Sequence, residues 1–141
     1  RNLFLVLISG NGAIMAGTPN HQEIIDLRQL TEKAKEFVLN PYGDENLPEM
    51  KEEEFDLPDG SKWVYPVSQG VISLQTTRDT GYQAYIQVQN ELTRAFNEIR
   101  DAVAETKFGA KFADLPEEQR AIVTKAVPLK ISEAEPRNIK K

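Results

Sequence analysis

Nucleophilic and metal chemistry draw on Cys, His and grouped carboxylates, and this chain of 141 residues holds no Cys and a single His. Without Cys there is no thiolate nucleophile, no disulfide and no cysteine metal site. His21 follows the breaking residues Gly17, Thr18 and Pro19 and falls at the first position of an expected helix, where it faces solvent. A lone imidazole supplies neither a base and nucleophile pair nor a ligand set. Glu52, Glu53 and Glu54 offer hard oxygen atoms to Ca²⁺ or Mg²⁺, but the alternating Asp/Asn residues and central Gly of a calcium loop are missing. The run Ser9-Gly10-Asn11-Gly12 is too short to cradle phosphate and has no Lys-Ser or Lys-Thr ending, so it reads as a hairpin turn. No catalytic residue, metal site or cofactor is expected, and the chain reads as a non-enzymatic binding domain.

Binding residues are better represented. Arg78 and Asp79 stand between an apolar strand and a helix start, where open sheets gather functional polar groups and where the helix dipole alone also favours Asp. Tyr82, Tyr85 and Phe96 match the spacing of a buried helical stripe, which makes them core and rim. Trp63 and Tyr65 sit in a segment with few apolar partners, and are expected to staple that segment to the domain or to present a contact surface.

The elements that must position these residues follow from periodicity. Leu3 to Ile8 is apolar throughout and β-prone, as suits a central strand, and Ala13 to Ala16 returns across the hairpin turn. Asn20 with Glu23 has the form of a capping box opening a helix along Ile24, Leu27, Leu30, Ala34, Phe37 and Val38, stopped by Asn40, Pro41 and Gly43. Asp44 to Asp59 holds eight acids against Lys51 alone, a solvated insert (40–69 with its flanks) or a docking surface for a basic partner. Inside it, Phe55 to Tyr65 resembles a hairpin about Pro58-Asp59-Gly60. Val71 to Thr76 is a core strand, and Thr80 with Gln83 caps the longest helix, whose apolar stripe runs from Tyr85 to Val103. Asp114-Leu115-Pro116-Glu117 opens a short helix ended by Pro128, Leu129 to Ser132 forms a last strand, and a polar tail occupies 133–141. The order β-β-α-β-α-(α)-β predicts one two-layer α+β domain over 1–141, with helices on one face of a mixed sheet.

Composition narrows the class of function. Hydrophobic residues at 40% and charged residues at 28% suit a globular domain and exclude collagen-like and wholly disordered chains. The net charge of −5 has the wrong sign for coating phosphate backbones or anionic lipid, which excludes nucleic acid as an expected partner. The longest apolar run, Leu3 to Ile8, falls far short of the ~20 residues that span a bilayer. The chain begins with Arg1 rather than Met, so it is expected to be a fragment or processed product.

Three stretches carry a resemblance: the opening hairpin with its Thr18-Pro19 exit, the strand-turn-helix from Val71 through Arg78-Asp79-Thr80-Gly81-Tyr82 into Tyr85 to Leu92, and the close from Leu129 to Pro136. In them the sequence resembles the periplasmic domain of the ExbD/TolR family of biopolymer transport proteins, and most of all ExbD-like members with a long insert. The resemblance implies transport driven by the proton motive force on the periplasmic side of a Gram-negative inner membrane. It implies a transmembrane helix outside this chain, an ExbB-like channel protein and a TonB-like protein as partners, and a homodimer. The alternative is a TolR-like or motility-linked domain that grips peptidoglycan. Partner or self recognition is expected by strand addition along Leu129, Lys130, Ile131 and Ser132, with Arg78, Asp79 and Tyr82 as the second candidate surface.

Overall fold

The computed structural model describes residues 2–133. Its sheet is built from β1 (Leu3–Ile8), β2 (Ile14–Thr18), β3 (His21–Ile25), β6 (Val71–Thr76) and β7 (Ile131–Glu133), in the order β3-β2-β1-β6-β7. β4 (Met50–Asp56) and β5 (Lys62–Ser68) form a separate hairpin, and the helices are α1 (Leu27–Leu39), α2 (Tyr82–Phe108) and α3 (Glu117–Ala126). β1 pairs antiparallel with β2 and parallel with β6, and β6 pairs parallel with β7. The fold is the expected α+β, with a mixed sheet and β1 at its centre.

Alternation decides which side of each strand is core. Phe4, Val6 and Ile8 of β1, Ile14 and Ala16 of β2, and Ile72 and Leu74 of β6 share one face and are buried beneath the helices. The Phe4 ring packs 5.0 Å from Phe37 of α1, while Val88, Leu92, Ala95, Phe96 and Ile99 supply the stripe of α2. Thr31 of α1 donates its hydroxyl to the Glu91 carboxylate at 2.6 Å, and Lys35 pairs with Glu98 at 2.9 Å, fastening α1 to α2.

Several boundaries differ from the sequence reading, each for a local reason. Asn20 and Glu23 do not cap α1: Pro19 and Asn20 form a two-residue turn, and His21–Ile25 folds back on β2 as β3. Gly17 makes that turn practicable, since a Cβ there would lie 2.0 Å from the His21 carbonyl oxygen and its φ is +151°. The helix starts six residues later, where Asp26 and Gln29 form the reciprocal box. Thr80 does not cap α2 either, because its hydroxyl oxygen accepts the Thr77 N–H at 2.9 Å while donating to the Ile8 carbonyl at 2.7 Å; Gly81 stands at the N-cap. Pro116 rather than Asp114 precedes α3, since Phe112–Asp114 forms a 3₁₀ turn first.

The acidic segment is a strand hairpin with a core side, not a solvated loop. Its expected turn at Pro58-Asp59-Gly60 is present, but the ladder extends from Asp56↔Lys62 out to Met50↔Ser68. Phe55 and Val67 are buried in the same cluster as the sheet and helices. Trp63 stacks between Phe55 and Tyr65, with centroids 5.7 and 5.0 Å away, and meets Phe108 of α2 edge-on at 6.3 Å. Of the two readings for Trp63 and Tyr65, the staple is the one the packing realises. Glu52, Glu54 and Asp56 take the alternate positions of β4, opposite the face of Phe55, because only one face of a strand need be apolar.

Candidate functional site

The strand closing the sheet is short and lies at its edge. Ile72 donates its N–H to the Lys130 carbonyl at 2.9 Å, so Lys130 turns its backbone inward to β6. In a parallel ladder alternate residues bond to one side, which makes Ser132 inward as well and points the N–H and C=O of Ile131 and Glu133 away from the sheet. Of the four residues expected to form a docking strand, Leu129 and Lys130 precede β7 and only Ile131 offers outward backbone groups. Glu133, read from sequence as the start of a polar tail, is the last residue of β7; residues 134–141 of that tail lie outside the described residues.

Glu133 is also the tether of this edge. Its carboxylate accepts hydrogen bonds from the Tyr85 hydroxyl and, at 2.8 Å, from Gln89 Nε2, so α2 holds the strand from above. The hydrogen bond to Glu133, aided by desolvation, pushes the Tyr85 phenol up to about 12. Nothing in the sequence distinguished Glu133 from the acids around it, because its partners lie more than forty residues away.

Between β7 and the first turn of α2 opens a cleft of about 380 Å³, lined by Thr76, Arg78, Thr80, Tyr82, Tyr85 and Glu133 among others. It brings Arg78 and Tyr82 together with β7, so two sequence candidates that were separate become one surface. Arg78 is exposed and makes no hydrogen bond or ion pair among the described residues. Tyr82 is 78% exposed, not core, because it is the first residue of α2 and projects before the buried stripe begins. Asp79 belongs to the turn instead: it accepts the Thr77 hydroxyl at 2.6 Å and abuts Gly10 of the β1–β2 loop so closely that a Cβ there would lie 2.1 Å from its carboxylate.

Elsewhere the described residues offer little chemistry. No three His, Asp or Glu side chains among them are grouped to hold a metal ion. Glu52, Glu53 and Glu54 lie on consecutive positions of β4 and are all exposed, with Glu53 on the face of Phe55 and the other two opposite, so the three carboxylates diverge. His21 is exposed, as expected, though on β3 rather than on a helix. No helix among the described residues is long and apolar enough to cross a membrane.

The face of the sheet turned away from the helices is different in kind. Leu3, Leu5, Leu7, Met15, Ile24 and Val71 stand on it, and no charged side chain falls at any strand position of this face. Met15 is 37% and Ile24 71% exposed.

No protein-family model, curated protein or solved structure matches the chain.

Proposed function

We propose that this is a periplasmic interaction domain of an ExbD-like accessory protein, which helps couple the proton gradient to a TonB-like protein in outer-membrane import, beside an ExbB-like channel protein. The reading is supported by the sequence resemblance and by an architecture that offers edges and a cleft for contact. One observation carries it: β7 leaves the backbone groups of Ile131 and Glu133 without a partner among the described residues, beside the cleft that holds Arg78 and Tyr82. An extended partner segment can add there as a further strand, with main-chain bonds giving affinity and the cleft receiving a side chain.

The test is a nuclear magnetic resonance titration of the domain with a TonB-like periplasmic segment. Ile131→Pro removes an outward N–H while Ile131→Ala keeps it, and both lose the same side-chain packing. With both variants folded, the Pro form is expected to bind at least about tenfold more weakly than the Ala form, the equivalent of one main-chain bond. Equal binding would remove β7 from the interface. Retention on sedimented peptidoglycan without binding to the segment would transfer the reading to the cell-wall alternative.

A further inference from the structure

The β4–β5 hairpin stands outside the five-stranded sheet and has two edges of its own. Gln69 donates its N–H to the Glu49 carbonyl at 3.0 Å and Leu57 donates to the Ser61 carbonyl at 2.9 Å, which fixes the parity of the ladder. Alternate residues of an antiparallel pair bond across it, so the odd-numbered positions from Glu49 to Leu57 bond to β5, and the N–H and C=O of Met50, Glu52, Glu54 and Asp56 point away from it. Pro66 agrees with this parity, because it stands opposite Glu52, where no N–H is needed between the strands. The two edges are therefore unlike. On β5 the outward positions include Pro66, whose missing N–H blunts that edge. On β4 four successive outward positions keep both backbone groups, and no hydrogen bond reaches them among the described residues.

We propose that β4 accepts an extended segment of a basic partner as a third strand of the hairpin, with Lys or Arg at alternate residues opposite Glu52 and Glu54. The edge limits the occupant to a strand, and charge selects which strand. Glu52, Glu53 and Glu54 are all exposed and none is in an ion pair among the described residues, whereas Asp56 is matched by Lys62. Residues directly opposite on neighbouring strands interact, favourably when their charges differ in sign and unfavourably when they agree, so an added strand is read by sign at these positions. A second copy of this chain is rejected on the same ground: antiparallel registers centred on Glu52, Glu53 or Glu54 each set two carboxylates opposite one another. Main-chain bonds along the edge supply affinity that does not depend on the partner's sequence, and the carboxylates supply the choice. The inference stands apart from the reading of β7, which belongs to the other sheet.

The probes are a capped hexapeptide of alternating Lys and Val and the same peptide with Glu in place of Lys, each titrated into the whole chain and followed by the amide resonances. At low salt the Lys peptide is expected to bind at least about tenfold more tightly than the Glu peptide and to shift the amides of Glu52 and Glu54 most. Near about 1 M salt, where the screening length falls to about 3 Å, most of that preference should disappear. Glu54→Gln keeps the outward N–H and loses the charge, weakening the Lys peptide about threefold, while Glu54→Pro loses both and should bind about tenfold more weakly than Glu54→Gln. Methylating one or the other alternate set of amide nitrogens in the Lys peptide gives a pair of probes, and only the one that keeps its N–H groups toward β4 is expected to bind. No binding of the Lys peptide up to about 1 mM, a Glu peptide that binds as tightly, shifts centred on β7 instead of β4, equal binding by Glu54→Gln and Glu54→Pro, or equal binding by the two methylated peptides would overturn the proposal. Should Glu54→Pro fail to fold by circular dichroism, the methylated pair decides the backbone contribution by itself.

Discussion

Asn40 ends α1 and also anchors the segment that follows. Its φ of 41° places it in the left-handed region at the C-cap. From there its side chain donates to the carbonyls of Asp44 and Pro48 at 3.1 and 2.9 Å and accepts the Asp44 N–H at 2.8 Å. It is one of the two buried polar side chains among the described residues. Asn40→Gly keeps the backbone conformation and loses the three bonds, an expected cost of about 1–3 kcal/mol, and Asn40→Ala adds about 1 kcal/mol for the strained φ. Urea unfolding of both variants checks the order, Gly above Ala in stability. Tyr85 gives a second residue-scale expectation, through pH. Its phenol titrates near 12 in the fold against 10 ordinarily, so the neutral form is the one the fold favours. Its contribution is complete below pH 10 and is lost as pH rises toward 12. The melting-temperature difference between wild type and Tyr85→Phe should therefore shrink between pH 9 and pH 12, and a difference independent of pH would show that the Glu133 bond does not hold β7.

At the scale of elements, the β4–β5 hairpin contributes to the fold out of proportion to its composition. Asp44 to Asp59 carries eight of the chain's 22 acids, yet removing it would take away β4, expose Trp63 and Val67, and strip the segment that Asn40 and Pro48 hold in place. Shortening a surface loop costs little entropy, but this deletion also opens the core. A chain with 44–59 replaced by a short Gly-containing link is expected to lose its cooperative melt by circular dichroism. A sharp transition near that of the wild type would show the hairpin to be dispensable packing.

The whole molecule behaves as one unit if the hairpin, sheet and helices share a core, and the buried cluster runs through all three. Trp63 is the only tryptophan and sits on the hairpin against α2, so its fluorescence reports the hairpin while far-ultraviolet circular dichroism reports the helices. Coincident melting curves are expected. What the sequence by itself determined is the set of strongly periodic or uniformly apolar elements: the strand at Leu3–Ile8, the strand at Val71–Thr76, the stripe of α2, and the helix face through Leu30, Ala34, Phe37 and Val38. Those patterns are legible because burial on one fixed side imposes a period on neighbouring residues. Only the tertiary structure decided the rest. Two capping boxes were locally plausible, but a turn at Pro19-Asn20 and the distant Ile8 carbonyl claimed their residues. The acidic segment became a strand hairpin because half of its side chains could face water while Phe55 and Val67 found partners on other elements. The cleft joined Arg78 and Tyr82 to Glu133, and the direction of each edge amide followed from register, since both depend on which residues, remote in sequence, the chain brings side by side.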